Sequence, residues 1–450
     1  MNELFREYEG EPLYIQIYMH YRDRIINGTL KHGEKLPSIR KCAAEFGVSK
    51  MTVESAYMQL VAEGYVYTKS QSGYYVCKLS DLPRSAVQQS ENEEAEKKKK
   101  FELDLSGSSA DVECFDFKLW QKYIKNALRC EERLLSYGEQ QGEYDLREAL
   151  CDYARTQRGV VCTPSQIVIG AGVQNLIYLL CSLQKERSSV IFNGNPFQQG
   201  TAVFEDCGYT VFESMGAYDG KSDVSFIYTS PSHYNGYSVM SISDRIDLLN
   251  FARESGSIVI EDDFDSEFCY FSRPVPSLQG LDGGEHVAYI GTMSRLLLPS
   301  IRISFMVLPL RLMDAYRSRG ALYNQTASKT EQIALARYIT DGRLVAQIKK
   351  ARKICEEKTE LMKREIEREF NPVSTEVSDS GFIIRFTIYS DITSEMAKQL
   401  LIQKGINIKG IRQINQNFLE VFVSSAGVSE NEIQKSVKML KKTLNCTYFF

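Results

Sequence analysis

Anion-binding chemistry is the first thing these residues offer. Gly172-Val173-Gln174 follows the apolar run Ile167-Val168-Ile169 and opens a helical stretch, so its backbone N–H groups can face a negative charge. Farther along, Thr292 and Ser294 supply hydroxyls. The run EDDFD, residues 261–265, places carboxylates at a strand end, where their plainer role is structural. Taken singly these features are weak, because a glycine at a helix start is usually no more than a turn. Near the other end of the chain, Ser49, Lys50, Met51 and Thr52 open a helix within EFGVSKMTVESAYMQL, with Arg40 and Tyr57 placed to reach phosphates. A three-helix bundle that binds only protein partners is the bland alternative. Metal and disulfide chemistry find little support: the 11 cysteines form no CxxC pair, and His20, His32, His233 and His286 form no pair at ligand spacing.

The elements that must position these groups divide the chain. Residues 1–79 read as three helices and a strand pair. Leu13 to Asn27 has apolar residues at helical spacing and stops at Asn27-Gly28. Ser38 caps a second helix that Gly47 ends, and Ser49 caps a third from Lys50 to Glu63, closed by Gly64. Tyr65-Val66-Tyr67 and Tyr74-Tyr75-Val76 then alternate around Gln71-Ser72-Gly73 as a hairpin. That hairpin favours DNA over a protein partner, since a wing with glycine at its tip lets the backbone approach the minor groove. Residues 31 to 78 hold seven Lys or Arg against four Glu, a modest local excess in a chain of net charge -4.

Residues 80–105, including SENEEAEKKKK, have no apolar period and read as a linker. Beyond it Ile167–Ile169, Val190–Phe192, Phe226–Tyr228, Ile258–Ile260 and Ala288–Ile290 alternate with helical stretches, which predicts an α/β domain with a mostly parallel sheet over 106–329. A long charged helix and strands such as Gly381 to Tyr389 predict a smaller α+β domain over 330–450. No apolar run approaches the roughly 18 residues of a membrane helix, and MNELFREYEGEP does not resemble a secretory leader, so a cytoplasmic protein is expected.

The run from PLYIQIYMHYRDRI through LPSIR, GVSKMTV and SGYYV closely resembles the GntR-type winged helix. That resemblance implies double-stranded operator DNA as partner, with Arg40, Ser49, Lys50, Thr52, Tyr57 and the wing at Gly73 as contacts, and a homodimer on repeated half-sites. SYGEQQGEYDLREAL, IVIGAGVQNLIYLL, YTSPSHYNGYSVM, IEDDFDSEFCY and YIGTMSRLLLPSIRISFMVLP, in this order, resemble fold-type I aminotransferases. Together the two parts are similar to the MocR/GabR family of regulators. The family's cofactor is pyridoxal 5'-phosphate (PLP), and Gly172, Val173, Gln174, Asp262, Phe264, Thr292, Ser294, Arg295 and Arg302 fall at its cofactor positions. There Asp262 would face the ring nitrogen and Arg302 the phosphate.

The chain departs from that pattern where the covalent chemistry lies. The family's segment ends in lysine, whereas this chain has Gly291-Thr292-Met293-Ser294-Arg295. A guanidinium stays protonated, its lone pairs delocalised, and cannot form a Schiff base. Phe264 stands in place of a tyrosine that meets the ring oxygen, Phe197 in place of the stacking tyrosine, and no arginine follows Arg412 to hold a substrate carboxylate, Lys409 and Arg412 being the nearest substitutes. The expectation is a regulator without transaminase activity or covalent PLP, with an aminotransferase-like dimerisation and small-molecule effector domain. In it Arg295 would fill the empty ring site by pairing with Asp262. The alternative is a PLP-responsive regulator or aminotransferase that uses another lysine.

Overall fold

The computed structural model describes residues 11–69, 72–78, 101–107, 114–184, 188–194, 197–234, 238–264, 266–268, 275–320 and 322–444, the side chain of Arg295 excepted. Residues 80–100 of the expected linker and Gln71 of the expected hairpin tip lie outside these. Two compact units divide between Lys97 and Lys98.

In the first unit, α1 (Leu13–Ile26), α2 (Ile39–Phe46) and α3 (Lys50–Ala62) are followed by an antiparallel pair, β1 (Val66–Lys69) and β2 (Gly73–Val76). The expected caps are present. Ser38 Oγ accepts the Lys41 N–H at 3.3 Å, Ser49 Oγ accepts that of Thr52 at 3.1 Å, and Gly47 ends α2 at φ 66°. Ile17, Tyr21, Cys42, Val53, Ala56, Tyr57, Leu60, Val66 and Val76 form the core. Residues 33–36 add a third edge to the wing: Leu36 N–H donates to Tyr74 O at 2.9 Å and Val76 N–H to Glu34 O at 3.0 Å.

The second unit runs β3 (Leu103–Leu105), α4 (Phe117–Leu128), α5 (Glu131–Leu134), α6 (Tyr144–Arg158), β4 (Ile167–Gly170), α7 (Val173–Leu183), β5 (Ser189–Phe192), α8 (Gln198–Asp206), β6 (Thr210–Phe212) and β7 (Val224–Thr229). It continues through α9 (Ile242–Ser255), β8 (Ile258–Asp263), α10 (Leu278–Asp282), β9 (Val287–Thr292), α11 (Met293–Leu296), β10 (Ser304–Val307), α12 (Met313–Gly320) and α13 (Lys329–Thr340). Last come α14 (Arg343–Phe370), β11 (Ser374–Val377), β12 (Ile383–Tyr389), α15 (Ser394–Gln403), β13 (Ile406–Ile408), β14 (Gly410–Asn415), β15 (Phe418–Ser424) and α16 (Ile433–Leu444).

The central sheet has the order β4-β10-β9-β8-β7-β5-β6, parallel except for β10, which pairs antiparallel with both β4 and β9. All five expected strands belong to it, each nearly wholly apolar because both faces are covered. The smaller sheet, β11-β12-β15-β14, is antiparallel and covers its own core with α15, α16 and the second half of α14.

Two expected boundaries are corrected. Leu103–Leu105 was assigned to the linker but forms β3, paired in parallel with β13, and Leu105 is buried in the smaller core. The division at residue 330 cuts the first turn of α13, whose Ile333, Ala334, Leu335 and Ala336 pack with Trp120, Leu146 and Leu150 in the larger core. The true join is α14, which gives Ile348, Ala351 and Cys355 to one core and Met362 and Ile366 to the other.

Candidate functional site

In the first unit the start of α3 is open to solvent. Arg40, Ser49 and Lys50 are exposed and Thr52 is half-buried. The Ser49 and Thr52 hydroxyls lie 2.8 Å apart as part of the cap, which leaves Lys50 as the unconstrained cation at the helix entrance. Tyr57 is corrected: it is fully buried, and its hydroxyl donates to Pro37 O at 3.1 Å, so it cannot reach a phosphate. The residue count placed it on α3, but helical phase turns it to the core beside Val53 and Leu60.

Gly73 opens β2 at φ 115°, and a Cβ there would stand 3.1 Å from Lys35 Cε. Around this glycine the wing carries two cations that sequence reasoning missed. Lys69 Nζ lies 4.8 Å and Lys35 Nζ 5.8 Å from the Tyr75 ring centroid. The Ser72 hydroxyl, 2.6 Å from that of Tyr75, and the two ammoniums hold the phenol below its ordinary pKa. Strand alternation alone could have flagged Lys69; the approach of Lys35 depends on the third edge of the wing.

In the second unit the site residues gather at the carboxyl ends of the parallel strands. β4 runs into Ala171-Gly172, and α7 starts at Val173. Gly172 sits at φ 115°, and a Cβ on it would meet Arg302 Nη2 at 2.6 Å, so the absence of a side chain lets the guanidinium lie over this helix entrance. Gln174 turns aside, its amide donating to Gln199 O at 3.4 Å. Thr292 Oγ1 accepts from Ser304 Oγ at 3.0 Å, and Ser294 Oγ donates to Ile301 O at 3.0 Å, so both hydroxyls brace the turn from β9 to β10. Arg295 lies on α11 directly after β9; its side chain, and with it the expected pairing with Asp262, falls outside the described residues.

The run Glu261-Asp262-Asp263 separates by strand alternation. Asp262 accepts a hydrogen bond from the buried phenol of Tyr228 on the neighbouring strand β7. Burial and the Asp262 charge push the Tyr228 pKa far up, so Tyr228 remains the donor and Asp262 the acceptor. The Phe197 ring lies 5.2 Å from Tyr228, and Phe264 meets His233 edge-on at 5.6 Å. Glu261 and Asp263 project to the other face: Glu261 accepts the N–H groups of Leu278 and Gln279 at 2.9 Å each, and Asp263 accepts from Arg158 Nε at 2.7 Å and the Tyr289 hydroxyl at 2.9 Å. Tyr228 was visible in the sequence only as a strand residue; its role depends on which strand lies beside β8.

Arg412 pairs with the buried Glu420 and lies 5.6 Å from the Phe422 ring centroid, so it is engaged within the small sheet. Lys409 is exposed. Were PLP to bind here, Gly172 with Arg302 would hold its phosphate, and Asp262, positioned by the Tyr228 phenol, its ring nitrogen. They do not supply the amine that a covalent attachment at position 295 requires.

Comparison with known proteins agrees with both halves. Residues 13–76 match the family described as bacterial regulatory proteins, gntR family, and residues 114–440 match aminotransferase class I and II. The chain is 33% identical over 449 residues to the HTH-type transcriptional regulator YdeL of Bacillus subtilis (strain 168), covering 96% of each. It is 28% identical over 375 residues to the probable rhizopine catabolism regulatory protein MocR of Rhizobium meliloti, covering 78% of this chain and 76% of that one. To the pyridoxine biosynthesis transcriptional regulator PdxR of Corynebacterium glutamicum it is 24% identical over 360 residues, covering 77% of each. An archaeal alanine:glyoxylate aminotransferase structure superposes with a TM-score of 0.64 at 20% identity, over 77% of this chain and 91% of that one, which establishes the fold-type I aminotransferase fold. The chain therefore belongs to the HTH-type transcriptional regulators in which a GntR-family winged helix precedes an aminotransferase class I and II region.

Proposed function

We propose that this regulator binds operator DNA as a homodimer through the start of α3 and the wing, and that its aminotransferase-like region performs no transamination. That region serves instead as the dimerisation scaffold and as the receptor for a noncovalently held small molecule. The observation that carries this reading is Arg295, at the position where the resembled family has its lysine, beside an otherwise kept cradle of Gly172, Arg302 and Asp262. A protonated guanidinium offers no nucleophilic lone pair, so the anchor is gone while the groups that would hold a phosphate and a ring nitrogen persist. PLP is one candidate for the ligand.

The test is an absorbance scan of the purified protein with added PLP, followed by borohydride reduction and mass analysis, with Arg295→Lys alongside. Wild type is expected to give no aldimine band and no reduced adduct, and the variant both. A borohydride-stable adduct on wild type would mean that another lysine does the chemistry and would overturn the reading. A thermal-shift series over PLP, inorganic phosphate and amino acids then finds the ligand, since occupancy at 100 times Kd adds about 2.7 kcal/mol of stability.

A further inference from the structure

The outward line of α3 is apolar. Its core face is Val53, Ala56, Tyr57 and Leu60, all fully buried, and at about 100° per residue the opposite line runs through Met51, Ser55 and Met58. Met51 is 77% exposed and Met58 56% exposed, an unusual outlay of large apolar surface on a short helix. Ser55 adds no free hydroxyl proton between them, because its Oγ donates to Met51 O at 3.0 Å. The exposed cations of this unit include Lys50 on α3, Arg40 and Lys41 on α2, and Lys35 and Lys69 on the wing, while the exposed acid Glu54 lies one helical turn from both Met51 and Met58. A unit that carries these exposed cations together with a ridge of thioethers on α3 fits a polyanion that presents apolar groups at its floor, and the major groove of DNA does so only at the C5-methyl of thymine.

We propose that Met51 reads a thymine methyl in the major groove, making thymine at the base facing the start of α3 a specificity determinant of the operator. The proposal rests on the DNA-binding reading above. A thioether is at most a weak acceptor, so Met51 has little with which to read the donor and acceptor code of the base edges. What it can distinguish is whether a methyl group is there to be covered. Residues at the N-terminal end of a recognition helix reach base edges, which favours Met51 over Met58, two turns farther along.

The experiment starts with duplexes enriched from a random pool by the full-length protein; failure to enrich any sequence would remove the DNA-binding reading and this inference with it. Each thymine of the enriched half-site is then replaced in turn by deoxyuridine, and affinity is followed by fluorescence anisotropy. At one position loss of the methyl is expected to weaken wild type about fourfold, the effect of uncovering one buried methyl. Met51→Ala should bind the thymine and deoxyuridine duplexes equally, Met51→Leu and Met58→Ala should still discriminate, and 5-methylcytosine should outbind cytosine at that base. Absence of any deoxyuridine penalty in wild type, or a penalty unchanged in Met51→Ala, would overturn the proposal while leaving DNA binding intact.

Discussion

Residue type and residue placement carry different information, and Tyr57 and Lys50 separate the two. Tyr57 has the chemistry of a phosphate contact and the environment of a core residue, its hydroxyl held by Pro37 O. Tyr57→Phe is therefore expected to lower stability by about 1 kcal/mol in denaturant titration and leave the salt dependence of DNA binding unchanged. Lys50→Ala should do the reverse, keeping stability and reducing the slope of log K against log salt by about 1. An unchanged slope in Lys50→Ala would remove it from the phosphate contacts. The acidic run Glu261-Asp262-Asp263 makes the same point. Three neighbouring carboxylates look alike in sequence, and only the family resemblance singled out Asp262; the phenol that positions it comes from another strand.

At the scale of elements, features with local causes were legible. Ser38, Ser49 and Gly47 are written into the helix ends they make, and the five apolar strands stand between turns. What eluded the sequence depended on distant partners: β10 is antiparallel because of where it lies between β4 and β9, and β6 is a three-residue edge. Strand β8 also sets a pH response. Burial, and then the neighbouring Asp263 charge, raises Glu261 to about 7 and pushes Glu267 up as well. Burial alone would raise Asp263 too, but Arg158 holds it below the usual range, so its own contribution is lost only in strong acid. The raised acids bind their protons more tightly folded than unfolded, so their contribution is full below the ordinary carboxylate range and lost as pH climbs toward about 7. The Tm should accordingly fall between about pH 5 and about pH 7.5, and Glu267→Gln should flatten part of that fall. A variant profile parallel to wild type would exclude Glu267 as a source.

For the whole molecule, the two-part organisation was readable from composition and period, but the edges of the second part were not. Leu103-Asp104-Leu105 looks like the end of a polar segment until its partner, Ile406 to Ile408, is known. Leu105→Ala is expected to cost about 2 to 5 kcal/mol in denaturant titration and to speed amide exchange at residues 406–408. A silent substitution would mean that β3 is dispensable. Its position has a mechanical consequence. The covalent route from the winged helix enters the second unit at β3, against the smaller core, while the cradle stands at the ends of β4, β8 and β9 in the large sheet. Any effector that rocks one sheet against the other, about the shared helix α14, would carry this point of attachment along like the short arm of a lever.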